Sequence, residues 1–141
     1  MLPVSVRFAE GQTDLAWCVG HDGWLDEPEL RRKVQARELV VADLDGELVG
    51  LLRFDYLWSV LPHLAQVRVV EHHRREGVGR ALVTFVEQQA RSRGIDKILS
   101  STRPDKLGAQ AWHRQIGFRE CGSLQGFGPN GEPTIFFLKL L

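Results

Sequence analysis

The sequence is poor in cysteine and contains no long apolar run. Two cysteines, Cys18 and Cys121, are too few for a disulfide framework, and no CxxC spacing typical of a zinc site is present. We therefore expect a reducing, cytoplasmic setting and no metal. No apolar stretch approaches the ~20 residues of a membrane span, and the first residues lack the pattern of a signal peptide. We accordingly expect no membrane partner.

An excess of one charge is also missing. Lys+Arg and Asp+Glu both count 18, so the formal net charge is zero. This balance argues against a nucleic-acid partner, although a local basic patch is compatible with it. The chain does have 43% hydrophobic residues and four Trp, which is enough for a buried core. The length of 141 residues predicts a single domain over residues 1–141.

Apolar periodicity predicts strands and helices in mixed order, with antiparallel hairpins first and strand–helix–strand units afterwards. That order indicates an α+β sheet with helices on both faces. Asp105 is the expected N-cap of the last helix, and residues 20–23 are expected to form a turn. The predicted strands are 4–8, 38–42, 47–58, one ending at residue 70, 97–101, 118–124 and 134–140; the predicted helices are 13–18, 28–37, 79–93 and one after residue 105.

One stretch between a strand and a helix carries the clearest chemical pattern. A β-branched run at residues 67–70 leads into Arg74-x-x-Gly77-x-Gly79, and a helix with an apolar face follows. Glycines let the backbone approach an anion, and the first N–H groups of a helix are unpaired donors at the positive end of its dipole. This arrangement favours phosphate binding. The alternative is a loop that needs two glycines to turn and carries solvated arginines.

The pattern VxxxxRxxGxG over residues 69–79 resembles the acyl-CoA signature of the GNAT superfamily of N-acetyltransferases. Downstream, AxxxHxxxGF over residues 109–118 is similar to that family's last helix and the Gly-Phe that opens the next strand. The resemblance implies a GNAT-like, mixed and mostly antiparallel twisted sheet with a splayed central strand pair. It also implies direct transfer of an acetyl group from acetyl-CoA to a primary amine on a small molecule or peptide. A homodimer is compatible with it.

The resemblance further assigns a cofactor site. The backbone at Val67 and Val69 would pair with pantetheine, and N–H groups from Arg75 to Arg80 would hold the pyrophosphate, with Arg74 at the 3′-phosphate. The cofactor-binding residues implied in this way are Val67, Val69, Arg74, Arg75, Glu76, Gly77, Val78, Gly79 and Arg80.

The sequence departs from the family at the expected catalytic acid. Family members commonly carry a Tyr four residues before Gly-Phe, where this chain has His113, and the single tyrosine, Tyr56, lies on a strand far from that motif. His113 is therefore the predicted catalytic residue, as base or acid, with packing as the alternative. The missing tyrosine also leaves open a non-catalytic acyl-CoA sensor or regulatory module. Trp24 either lines the acceptor pocket or anchors packing.

Overall fold

The computed structural model describes residues 3–141. Within them, strands and helices alternate in a mixed order that confirms the α+β prediction. None of the helices in this range combines the length and the apolarity needed to cross a membrane. The elements are β1 Ser5–Phe8, α1 Gly11–Asp22, α2 Glu27–Ala36, β2 Leu39–Leu44, β3 Glu47–Leu57, β4 Leu61–Val69, a 3₁₀ helix Glu71–His73, α3 Val78–Ser92, β5 Lys97–Thr102, α4 Leu107–Gln115, β6 Arg119–Leu124 and β7 Thr134–Leu140.

Contacts divide the chain into two compact units, and β4 contributes residues to both. The first unit extends to Asp55 and includes Ala65–Gln89; the second comprises Tyr56–Leu64 and Ala90–Leu141. Neighbouring strands follow the order β1-β2-β3-β4 in the first unit and β4-β5-β7-β6 in the second. The β1–β2, β2–β3, β5–β7 and β6–β7 ladders are antiparallel, whereas β4 and β5 pair in parallel. The mostly antiparallel arrangement is thus confirmed.

Helices cover both faces of the strands in the first unit. Leu15, Cys18 and Leu30, from α1 and α2, pack with Val41 and Leu51 in one buried cluster. Gly50 precedes Leu51 and so faces the other way, toward α3. A Cβ at Gly50 would lie 3.1 Å from a Val78 side-chain carbon and 3.1 Å from the Arg68 carbonyl oxygen. Only glycine therefore permits this close approach without displacement.

In the second unit, α4 packs on β5 and β7. His113, Ile116 and Phe118 are buried there with Phe137. Because β7 is hydrogen-bonded to β5 on one side and to β6 on the other, the apolar C-terminal run belongs to the interior of its own sheet. All residues of β6 are exposed.

Several predicted boundaries were wrong. α1 continues to Asp22, so the turn begins at Gly23, whose φ is 83°. Asp105 does not cap α4, because Lys106 occupies the N-cap position and no side chain caps that helix. β3 ends at Leu57, and Trp58 instead enters the β3–β4 turn with a φ of 52°.

Candidate functional site

The loop between β4 and α3 has a backbone shape suited to an anion. After the 3₁₀ helix, Arg75 and Gly77 both adopt left-handed conformations, with φ of 65° and 85°. α3 begins directly afterwards at Val78. Such alternation turns successive N–H groups toward one concave surface, and the helix start adds its own donors. A left-handed conformation is uncommon for arginine and is often retained at functional sites.

Charged side chains surround this loop. Arg74, Arg75 and Arg80 are exposed. Arg74 donates a hydrogen bond from Nε to the carbonyl oxygen of Val69 at 3.1 Å, which holds its guanidinium beside the end of β4. The carboxylate of Glu76 pairs with His73 Nδ1 at 3.2 Å. The loop therefore presents positive charge beside its glycine, and the Glu76 carboxylate there is directed at a neighbouring imidazole.

A groove of about 360 Å³ runs beside the first turns of α3. β1 and α3 line it, with Val6 and Phe85 on its apolar side and Gly77 and Arg80 at the loop. Val67 and Val69, the predicted backbone contacts for pantetheine, are only half-buried on β4. The first unit thus places the predicted residues Arg74 to Gly77 in the loop and Val78 to Arg80 in the first turn of α3.

His113 lies in the second unit, where the residue is 5% exposed. Nδ1 is 2.6 Å from the Ala109 carbonyl oxygen, and Nε2 is 2.7 Å from Ser100 Oγ. Because a carbonyl can only accept, Nδ1 carries the proton of the neutral ring and Nε2 accepts from the serine hydroxyl. The imidazole stacks on Phe137 with centroids 4.8 Å apart. Burial lowers the pKa of His113, although the hydrogen bond to Ala109 opposes that shift.

A second Ser–His pair joins Ser101 of β5 to His63 of β4, and the sequence reasoning missed it. His63 Nε2 is 2.9 Å from Ser101 Oγ, and both residues are half-buried. The two residues are 38 positions apart, and no local motif joins them. Only the pairing of β4 with β5, which sets His63 opposite Leu99, could have revealed the contact.

A buried ion pair supports the loop between α1 and α2. Asp22 is fully buried and accepts from Arg53 Nε at 2.9 Å. The same carboxylate accepts the backbone N–H of Leu25 at 2.8 Å, and Gln66 donates to the Asp22 carbonyl at 2.6 Å. Burial raises the pKa of the Asp22 carboxyl, but the bonds from Arg53 and Leu25 outweigh it, and the net pKa is lowered. Trp24, in this loop, is 70% exposed, so it is not a packing anchor.

Lys33 of α2 pairs with Asp55 of β3 and also reaches Glu38 and the Phe54 carbonyl. Across residues 3–141, no group of three or more His, Cys, Asp or Glu side chains is placed to hold a metal ion.

The family model described as "Acetyltransferase (GNAT) family" matches residues 10–118 of this chain. That range includes β4, the loop, α3 and α4. The strand order, the loop and this match agree, and the chain belongs to the GNAT acetyltransferase family.

Individual proteins resemble the chain either in sequence or in three-dimensional structure. Probable N-acetyltransferase 14 of Danio rerio is 36% identical over 110 residues, which are 76% of this chain and 38% of that relative. The chain therefore spans well under half of this relative's length. The ribosomal-protein-alanine N-acetyltransferase of Brucella melitensis superposes with a TM-score of 0.83 at 21% identity, covering 97% and 99% of the two chains. A GNAT family acetyltransferase of Elizabethkingia anophelis with acetyl-CoA bound gives 0.74 at 17% identity, covering 98% of each.

Proposed function

We propose that this protein is an N-acetyltransferase that moves an acetyl group from acetyl-CoA directly to a primary amine. The observation that carries the proposal is the loop between β4 and α3. Its two left-handed residues, Arg75 and Gly77, shape the backbone immediately before a helix start, and exposed arginines border it. A pyrophosphate is the kind of ligand that such a combination of backbone donors and positively charged side chains favours.

For the cofactor we propose the residues that the family resemblance implies. Backbone groups of Val67 and Val69 would align pantetheine as an added strand. N–H groups from Arg75 to Arg80 would hold the pyrophosphate, with Arg74 near the 3′-phosphate. The bond from Arg74 Nε to the Val69 carbonyl supports this, because it anchors the guanidinium where the strand meets the loop.

The reaction makes three demands. An acceptor ammonium, with a pKa of about 10, must lose a proton before its nitrogen can attack. Backbone N–H groups can stabilise the charge that develops on the thioester oxygen. As the C–N bond forms and the C–S bond breaks, the leaving thiolate takes up a proton. The protein therefore needs a proton acceptor close to the amine.

His113 stays the residue predicted from sequence for this proton transfer. Its burial and its two hydrogen bonds favour the alternative in which the neutral ring positions β5 through Ser100. Replacing His113 by Ala decides between them. A loss of about 100-fold in kcat would support catalysis, whereas kcat within a few-fold of the unmodified protein would support packing.

Binding and turnover are tested separately. We expect acetyl-CoA to bind in the micromolar range, about 8 kcal/mol, and dephospho-CoA to bind more weakly in calorimetry. A panel of small-molecule and peptide amines then tests turnover through release of CoA. Absence of binding at millimolar acetyl-CoA would refute the proposal. Binding without turnover on any amine would favour the acyl-CoA sensor.

The proposal also covers the acceptor contact, the domain organisation, the location and the oligomeric state. We place the exposed Trp24 at the acceptor, because its loop is held rigidly by Asp22 while its ring remains 70% exposed. A single domain over residues 1–141 and a cytoplasmic location stay proposals, the latter supported by the two unpaired thiols. A homodimer is also compatible with the fold, and sedimentation of the purified protein tests for it.

A further inference from the structure

Two consecutive serines of β5 each contact a histidine, and they do so on opposite faces of the strand. Side chains of neighbouring strand residues point to opposite faces. Ser100 meets His113 on the face covered by α4, and Ser101 meets His63 of β4 on the other. Both pairs belong to the second unit.

Only one of the two pairs is accessible to a ligand. Ser100 and His113 are 3% and 5% exposed, and the His113 ring is enclosed by aromatic side chains. His63 and Ser101 are half-buried. They lie beside the parallel ladder that joins His63 to Leu99 and Leu64 to Ser100. Of the two pairs, His63 and Ser101 therefore retain the surface that an acceptor amine could contact.

Aromatic rings lead from the surface to this pair. The Phe136 ring centroid is 6.2 Å from that of His63, and Phe127 meets Phe136 edge-on at 5.5 Å. Phe127 is 59% exposed. The faces of aromatic rings attract ammonium groups, so this row offers a cationic amine a route toward the proton acceptor.

The loop that carries Phe127 has a defined shape. Glu132 accepts the backbone N–H of Asn130 through its carboxylate, and its carbonyl accepts the N–H of Gly128, both at 2.9 Å. These bonds tie the loop to itself just before β7. Phe127 is therefore presented by a braced segment beside the strand that carries Phe136.

We propose that His63 and Ser101 are the proton-accepting pair for the acceptor amine, which is guided to them across Phe127 and Phe136. The inference rests on the proposed function. Ser101 Oγ takes a proton from the ammonium as its own hydroxyl proton moves to His63 Nε2. The freed nitrogen attacks the thioester carbon, the C–N bond forms and the C–S bond breaks. The nitrogen then loses its second proton, so that of the two protons released one protonates the leaving thiolate and the other passes through His63 to water.

The test compares His63→Gln, Ser101→Ala and Ser101→Thr in the full chain, using an amine on which the unmodified protein turns over. His63→Gln keeps an amide near Ser101 but cannot take up a proton. We expect kcat to fall ~100- to 10,000-fold, with the Kd for acetyl-CoA unchanged within a few-fold. Ser101→Ala should lower kcat, and Ser101→Thr, which retains the hydroxyl, should recover most of it. Ser123→Ala, on exposed β6, is the matched control.

A second measurement distinguishes a loss of proton transfer from a loss of correct structure. In His63→Ala, imidazole added to the buffer should restore part of kcat, because a small base can enter the vacated space; a purely structural loss would not respond. If His63→Gln and Ser101→Ala retain kcat within a few-fold, the pair is not the proton acceptor, although the acetyltransferase assignment stands. If the unmodified protein acetylates no amine, the proposed function fails first and this inference with it.

Discussion

At the scale of single residues, His113 differs from an exposed histidine because protonating its ring costs more free energy. His113 is enclosed by Phe118 and Phe137 and makes hydrogen bonds at both ring nitrogens. Protonation would break the acceptance of the Ser100 hydroxyl and place a charge among aromatic side chains. Burial accordingly lowers the pKa of His113.

A pH dependence of stability follows from that shift. The folded pKa of His113 is lower than its unfolded value of about 6.5. The stabilising contribution is thus complete above pH 6.5 and is lost as the pH falls through the folded pKa. The difference in unfolding free energy between the unmodified protein and His113→Gln should shrink between pH 7.5 and 5, by at most about 1.4 kcal/mol per pH unit. Denaturant titrations measure it, and a constant difference would contradict the prediction.

The Asp22–Arg53 pair leads to a second prediction at this scale. Asp22→Asn leaves the Arg53 guanidinium buried without its countercharge, and loss of one partner from a buried pair typically costs about 3 to 5 kcal/mol. The exposed Glu27–Arg31 pair is the matched control, since Glu27→Gln should cost at most about 0.5 kcal/mol. If the two substitutions lower the free energy of urea unfolding at pH 7 equally, burial of the Asp22–Arg53 pair does not increase its contribution to stability.

At the scale of elements, the link from β4 to α3 determines the proposed cofactor site. Its shape requires positive φ at Gly77, where an added Cβ would meet nothing within 4 Å. Glycine is needed there for conformation and not for space. The glycine after α3, Gly94, has the same properties, with a φ of 75° and open space around it. The two positions therefore form a matched pair.

We expect Gly77→Ala and Gly94→Ala to destabilise the protein similarly, by roughly 1–2 kcal/mol, because both force alanine into a left-handed conformation. Only Gly77→Ala should also weaken acetyl-CoA binding, since it reorients N–H groups of the proposed pyrophosphate loop. Calorimetry and thermal unfolding of both variants test this. Equal acetyl-CoA affinities in the two variants would place the phosphates elsewhere.

Elements with strong local patterns were predictable, and those set by distant contacts were not. Apolar periodicity located α3 and β7. The end of α1 was missed because Asp22, usually a turn former, is held in the helix by Arg53 from β3. Trp58 has strand propensity but enters a turn closed by the Val60 N–H to the Leu57 carbonyl. The His63–Ser101 contact likewise depends on strand pairing that no local pattern encodes.

At the scale of the whole molecule, β4 supplies residues to both compact units. A strand that two units share cannot be ordered in one and disordered in the other without loss of pairing. We therefore expect one cooperative unfolding transition, as the proposed single domain would show. Variants retaining only Trp17, in the first unit, or only Trp112, in the second, should give coincident midpoints by fluorescence. Separate midpoints would show that each unit unfolds independently.

The two thiols have a practical consequence for kinetics. Cys18 is fully buried, and burial, aided by the charges of Asp14 and Asp22, raises its pKa to about 12, whereas Cys121 is exposed on β6. Thiolate is the reactive form, so a chromogenic disulfide reagent should titrate one equivalent per native chain and a second after denaturation. Colorimetric detection of released CoA will carry that stoichiometric background, and Cys121→Ser removes it. The same thiol offers a single attachment point for a fluorophore, on an edge strand remote in sequence from the cofactor loop.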